Sequence, residues 1–309
     1  MPALRALNVL TAALAVALPP LASAAPAAAA APSRPRIVPV EVTGDGFCAP
    51  GPNTRPPGPL TFRVSTPDAA GHWWALMRLR GAATMDQVRQ EFADSYSPDP
   101  AVSLPALRAV YRDVDFRGGA SVTPGAPVSV TSVFEPGTYY MSDTALEGAT
   151  DGCGTGRTHL QRFRVAGPAW PARPAPSVRQ PRRRTVIEAR TTAGGGQRFT
   201  MPRSWPSHAS VVVRNRAEQP HEVIIVAVAP GTVDADVTRY FDALENGETG
   251  APNPFGATIG GMLAISPGRV ASFRIDLRPG RYCVLSFVRN PRTGVKSAFE
   301  GMFTTVTVR

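Results

Sequence analysis

The chain has 309 residues, 43% of them hydrophobic and 18% charged, which is ample for a packed core and excludes a wholly disordered polypeptide. Its 33 prolines and 28 glycines argue for strands, turns and linkers over long helices. The net charge of +10 is almost all arginine, with Lys296 the sole lysine; this bias fits a GC-rich bacterial genome and leaves contact with a polyanion open.

Arg5 precedes a run from Ala6 to Leu18 that is apolar except for Asn8 and Thr11, and Pro19-Pro20 and Ala22-Ser23-Ala24 follow. A positive start, a short apolar stretch and an A-x-A site predict a secretory signal peptide over residues 1–24. The run is shorter than the ~20 residues of a membrane span. The Ala/Pro-rich stretch over 25–35 reads as a disordered leader. An extracytoplasmic location, periplasm or cell envelope, is therefore expected, and disulfides are permitted there. Of three cysteines, Cys48 and Cys153 fall in one half of the chain and are the expected pair; Cys283 is left as a buried thiol.

The chain then reads as two copies of one unit. GHWWALMRL (Gly71 to Leu79), RGGASVTPG (Arg117 to Gly125) and FEPGTYYMS (Phe134 to Ser142) are matched by PHEVIIVAV (Pro220 to Val228), IGGMLAISPG (Ile259 to Gly268) and LRPGRYCVLS (Leu277 to Ser286). Two copies at this spacing are duplicated domains, 36–166 and 185–309, not a solenoid. The Pro/Arg-rich segment 167–184 between them reads as an extended linker ending in Arg182, Arg183 and Arg184. Within each copy, runs such as SVVVRNR (Ser210 to Arg216) and VASFRIDL (Val270 to Leu277) have strand composition or alternation, separated by SPG and RPG turns. One helix is expected in each copy. Thr84 should cap the first, with Val88, Phe92 and Tyr96 on its apolar stripe. Thr232 or Asp234 should cap the second, with Val237, Tyr240, Phe241 and Leu244 facing inward. The adjacent pair Trp73 and Trp74 should split, one inward and one outward, and Tyr139 and Tyr140 likewise.

The order of HE, apolar strand, APG, helix, GG, SPG, strand, PGxY, strand and a late GM resembles cupredoxin-like proteins, the secreted plastocyanin/azurin-type sandwiches. It covers 185–309, and 37–165 follows it more weakly. The resemblance implies a mainly β fold of two tandem Greek-key β-sandwiches, each with one inserted helix. It also implies positions for a copper set of two histidines, a cysteine and a methionine. In the second copy these positions hold His221, Ser286, Ser297 and Met302, so thiol and second imidazole are both replaced. Cys283 lies three residues before Ser286, an odd offset that puts it on the other strand face. In the first copy the matching positions hold His72, Asp143 and His159, residue types that could bind zinc, copper or iron.

No GxSxG, HExxH, CxxC or P-loop motif occurs, and no carboxylate pair suggests acid–base work. The expectation is thus a secreted, non-enzymatic binding or structural protein with a lost type 1 copper site and no cofactor. Its partner would be a protein or an anionic polymer, without specific nucleic-acid recognition. The alternative is a copper-binding or electron-transfer protein, with metal at His72, Asp143 and His159 or at His221 and Met302.

Overall fold

The computed structural model describes residues 36–143, 145–146, 148–153, 156–168 and 184–309. The expected signal peptide, the leader and most of the expected linker lie outside the described residues. Among the described residues, no helix is long and apolar enough to cross a membrane.

The first half runs β1 (Arg36–Thr43), β2 (Gly46–Cys48), β3 (Thr54–Arg55), β4 (Gly58–Ser65), β5 (His72–Leu79), α1 (Met85–Ser95), α2 (Pro100–Asp113), β6 (Val114–Val122), β7 (Val128–Phe134), β8 (Gly137–Ser142), β9 (Thr150–Asp151) and β10 (Leu160–Val165). The second half repeats the plan: β11 (Thr185–Thr191), β12 (Gln197–Thr200), β13 (Ser204–Trp205), β14 (His208–Arg216), β15 (His221–Val228), α3 (Asp234–Glu245), β16 (Phe255–Ile265), β17 (Val270–Asp276), β18 (Gly280–Leu285) and β19 (Phe303–Val308).

Both sheets run through both halves. One has the order β12-β11-β14-β17-β7-β4-β1-β2. The other has the order β13-β19-β18-β15-β16-β6-β5-β8-β10-β3, with β9 beside β10. The halves meet where equivalent strands pair antiparallel. β17 lies on β7 with Phe273 opposite Val130, and β16 lies on β6 with Gly261 opposite Ser121. Pairing of equivalent strands in opposite directions is the signature of a local two-fold relation.

The alternation of apolar and polar residues places the core between the sheets. Ala271, Phe273 and Ile275 of β17 point inward, and their neighbours point out. β15 is buried on both faces. Val223 and Ile225 enter the main core. Ile224, Val226 and Val228 pack on the other face with Val237 and Phe241 of α3. This two-sided burial explains why HEVIIVAV is an unbroken apolar run.

The expectation of one helix per copy is corrected in the first half, which has two. Thr84 caps α1 as expected, its hydroxyl accepting from the Gln87 N–H at 3.2 Å. A second helix follows, capped by Asp99, whose carboxylate accepts from the Ala101 N–H at 2.8 Å, with Pro100 at its first position. Pro105 lies inside it. Being close to the N-terminus and exposed, it removes one hydrogen bond to the first turn and no more. Leu107 and Val110 are the buried apolar residues of α2, and Val110 joins Met77 and Val88 in a small cluster outside the sandwich. Tyr96 of the expected α1 stripe is exposed, as is Leu244 of the α3 stripe. The α3 cap is neither Thr232 nor Asp234 but Val233, whose N–H is taken by Asp236 at 2.9 Å.

The PGxY motif has a structural job in both halves. The Tyr139 hydroxyl donates to the Glu135 carbonyl at 2.9 Å, and the Tyr282 hydroxyl donates to the Arg278 carbonyl at 2.7 Å. Each closes the corner before its strand, as tyrosine corners do in other sandwiches. Trp74 is fully buried against Phe62, while Trp73 is 53% exposed. Cys48 and Cys153 form a disulfide across 105 residues of sequence, and Cys283 is a buried free thiol.

The paired glycines of the two halves sit where β6 and β16 pass closest to their neighbours. Gly119 has φ +136°, and a Cβ there would lie 2.1 Å from the Trp74 carbonyl oxygen. Gly261 has φ +150°, and a Cβ would lie 2.1 Å from the Val223 carbonyl oxygen. Gly119→Ala therefore combines backbone strain with overpacking and is expected to cost about 2–5 kcal/mol in a urea melt. Cys48→Ser, which opens the long covalent loop, is expected to cost up to ~4–5 kcal/mol in the same measurement, and addition of a reductant should lower the stability of the unsubstituted chain but not of this variant.

Candidate functional site

His221 opens β15 and points to the sandwich side, where it is completely buried. Its Nδ1 lies 3.2 Å from the Ser286 hydroxyl, and its Nε2 lies 3.3 Å from Gln197 Oε1. A carboxamide oxygen only accepts, so Nε2 carries the proton and Nδ1 accepts from Ser286. The Ser286 oxygen also faces the Glu222 N–H at 3.4 Å. Ser297 donates to the Val288 carbonyl at 2.7 Å and accepts from Gln219 Nε2 at 2.9 Å. Met302 closes the loop on both sides: Ser286 N–H donates to its carbonyl at 3.1 Å, and its N–H donates to the Ser297 carbonyl at 2.8 Å. All four residues at the matched positions are buried.

As donors for type 1 copper these residues do not fit. That centre needs a thiolate and two imidazoles in a trigonal plane, with thioether as a weak axial donor. Only His221 and Met302 are of the required types. The imidazole nitrogen facing Ser286 is already engaged, and both serine hydroxyls are satisfied within the protein. Cys283 is on the opposite strand face, buried among residues that pack under α3. Burial pushes its thiol up to about 12, so it is not a thiolate near neutral pH.

The first half has the same backbone arrangement. Asp143 N–H donates to the His159 carbonyl at 3.2 Å, the counterpart of the Ser286–Met302 bond. Leu160 pairs with Ser142 as Phe303 pairs with Leu285, and this register makes His159 the equivalent of Met302. His159 Nδ1 lies 2.9 Å from the Asp143 carboxylate. His72, the equivalent of His221, turns to Asp68 instead, with Nε2 at 2.7 Å from its carboxylate. Asp143 and His159 are thus brought together, and His72 has a carboxylate of its own. Among the described residues, no three His, Cys, Asp or Glu side chains gather in a metal-holding group.

Gln197 and Gln219 were not anticipated. Gln197 follows a triple glycine that reads as a plain loop, and no spacing ties it to His221. Gln219 lies two residues before His221, the one signal that could have found it.

Two strand topologies of this plan, related by a repeat and each closed by a tyrosine corner, accompany matches among solved structures. The fold is cupredoxin-like. Auracyanin from Roseiflexus castenholzii is 20% identical over 40% of this chain and 97% of its own, with a TM-score of 0.24. A multicopper oxidase is 14% identical over 89% of both chains, with a TM-score of 0.23. A copper nitrite reductase from Nitrosomonas europaea is 10% identical over 89% of this chain and 94% of its own, with a TM-score of 0.24. No family model matches the chain, and no curated protein is similar to it. The matches that span most of this cupredoxin-like chain overturn the expectation that it is not an enzyme, because the oxidase and the reductase are enzymes. At these identities and scores the likeness is one of fold and assigns no residue a role.

His221 and Glu222 are adjacent, buried and shifted in opposite senses. Burial lowers His221 to about 3, and burial raises Glu222 to about 7 against the opposing Phe287 N–H and Lys296. Unfolded, the two return to 6.5 and 4.5. Below 6.5 the unfolded chain gains a proton at His221 that the folded chain refuses, so stability falls as pH drops towards 3. Between 4.5 and 7 the folded chain keeps a proton at Glu222 that the unfolded chain releases, so stability falls as pH rises. Each slope approaches ~1.4 kcal/mol per pH unit, and they oppose one another between 4.5 and 6.5. In urea melts across that window, His221→Gln is expected to leave a stability that declines with pH, and Glu222→Gln one that climbs.

Proposed function

We propose that this is an extracytoplasmic cupredoxin-like protein whose second-half copper position has been given over to a metal-free hydrogen-bond network. The observation that carries this reading is the Ser286 hydroxyl against His221 Nδ1. The network is complete without a metal: Gln197 holds the other imidazole nitrogen and Gln219 holds Ser297. The location outside the cytoplasm is supported by the Cys48–Cys153 disulfide, which persists in oxidising compartments, and by the signal-like N-terminus. On this reading the second half needs no cofactor, and the partner is a protein or an anionic polymer.

A second reading is favoured by the first half alone. There the equivalent positions hold His72, Asp143 and His159, and two of the three already meet. Copper or zinc bound at His159 and Asp143, with His72 turned from Asp68, would make the first half a metal-binding or electron-transfer centre.

Metal analysis and an absorption spectrum after incubation with copper and with zinc separate the two. The unsubstituted chain is expected to hold no metal that depends on His221. The double variant Ser286→Cys with Ser297→His is expected to take up one copper per chain and to gain an intense visible thiolate-to-copper band. Metal held by the unsubstituted chain and lost on His221→Ala would overturn the first reading. Metal lost on His159→Ala and kept in His221→Ala would establish the second.

A further inference from the structure

An arginine-lined cavity of about 420 Å³ opens where the two halves meet. Arg78, Arg80, Gly81 and Asp115 come from the first half; Gly268 and Arg269 come from the second. Arg78 and Arg80 are two residues apart at the end of β5, a spacing that puts both on one face of an extended chain. Arg269 belongs to the SPG turn before β17. That turn is tied down by its own Arg269 N–H to Ser266 carbonyl bond at 3.1 Å, and by the Gly268 N–H to the Asn215 carbonyl at 2.8 Å. The walls are stitched to each other as well. Ser266 N–H donates to the Phe116 carbonyl at 3.0 Å, and the Ser266 hydroxyl accepts from the Phe116 N–H at 2.9 Å.

Asp115 organises the cations. Its carboxylate takes both Nε and Nη2 of Arg269, at 3.1 and 2.8 Å, and lies 3.5 Å from Arg80. Arg117, as deeply buried as Asp115 itself, places Nε 2.8 Å from the same carboxylate without a well-aligned hydrogen bond. Glu135 is the other acid of the cluster, and it is mostly exposed. Its contacts are long: 3.9 Å to Arg78, 3.5 Å to Arg117 and 3.9 Å to Arg269. Four guanidinium groups therefore share two carboxylates, an excess of two positive charges. A cluster that only fastened the halves together would need no such excess. The three guanidiniums at the cavity are 35–43% exposed, and the bonds above leave Arg78 and Arg80 with most of their five N–H donors for a ligand.

We propose that this cavity binds a dianionic oxyanion of the phosphate type, free or as the head of a small ester. Its charge matches the local excess. Its tetrahedral oxygens match the planar forks that arginine presents to phosphate. The cavity is of the size of small-ligand sites, so an organic group attached to the oxyanion has room beside it. The ligand would touch both halves at once and would tighten their junction.

Isothermal titration of the full chain with inorganic phosphate and with glycerol 3-phosphate tests this. Saturable binding of one ion per chain is expected, weakening as sodium chloride is raised. Arg80→Gln and Arg78→Gln are each expected to weaken it roughly tenfold, the loss of one charge-assisted contact, while Arg239→Gln on α3 leaves it unchanged. Thermal melts of the variants check that each is folded; either of the two cavity variants suffices. Tighter binding of the ester identifies an esterified ligand, and equal binding identifies the free oxyanion. The proposal is overturned by the absence of saturable binding to either probe. It is overturned equally if Arg80→Gln and Arg239→Gln bind alike, or if acetate competes as well as phosphate does.

Discussion

Everything in this molecule depends on equivalent strands lying side by side in opposite directions at the junction of the halves. β6 on β16 and β7 on β17 turn two sandwiches into one pair of sheets with one continuous core. Close approach of strands constrains the sequence within each half as well. Gly119 and Gly261 stand where a side chain would strike the backbone of the next strand, and both hold a backbone conformation that other residues avoid. Gly119 and Gly261 seat β6 on β5 and β16 on β15 within each half, while Gly260, with φ +147°, stands at the junction itself, where a Cβ would lie 2.7 Å from the Ser121 carbonyl oxygen.

The junction also explains the surroundings of the second-half site. The helical hairpin of the first half reaches across to the loop that carries Ser297. Tyr111 donates to the Arg289 carbonyl at 2.7 Å, and Arg108 donates to the Pro291 carbonyl at 2.9 Å. Arg289 in turn reaches back to the Ser95 carbonyl. Arg292, Thr293 and Lys296 of that loop are exposed, but Ser286, Ser297 and Met302 are buried, and the polar groups of the site must satisfy one another. Burying an unpaired imidazole or hydroxyl would cost several times what a paired one does, which makes the completeness of the Gln197–His221–Ser286 chain a requirement of folding.

Much of the fold was legible in the sequence because its signals are local. Strand alternation, the SPG and RPG turns, the Thr84 cap and the order of motifs each live within ten residues or so. The positions of His221, Ser286, Ser297 and Met302 followed from that order. Other features were not legible, for physical reasons. α2 was not anticipated, and it tolerates Pro105 because that residue lies near the helix start, a position that depends on where the helix begins. Gln197 and the Arg269–Asp115 pair are joined only by the tertiary fold, across 24 residues in one case and 154 in the other. The continuity of the sheets was hidden for the same reason, because an edge strand and a central strand of this kind have the same alternation.

The order of strands has one more consequence. At the outer ends of the two sheets stand β12 and β2, and β13 and β3, which are four, three, two and two residues long. The long strands that would otherwise be edges, β6, β7, β16 and β17, have used their open sides on each other. A protein so rich in β structure is prone to adding foreign strands wherever a long row of backbone groups stays unpaired. By joining the halves through their long edges and ending on fragments, the described chain leaves little template for fibril growth, and the junction that makes the sheets continuous also guards them.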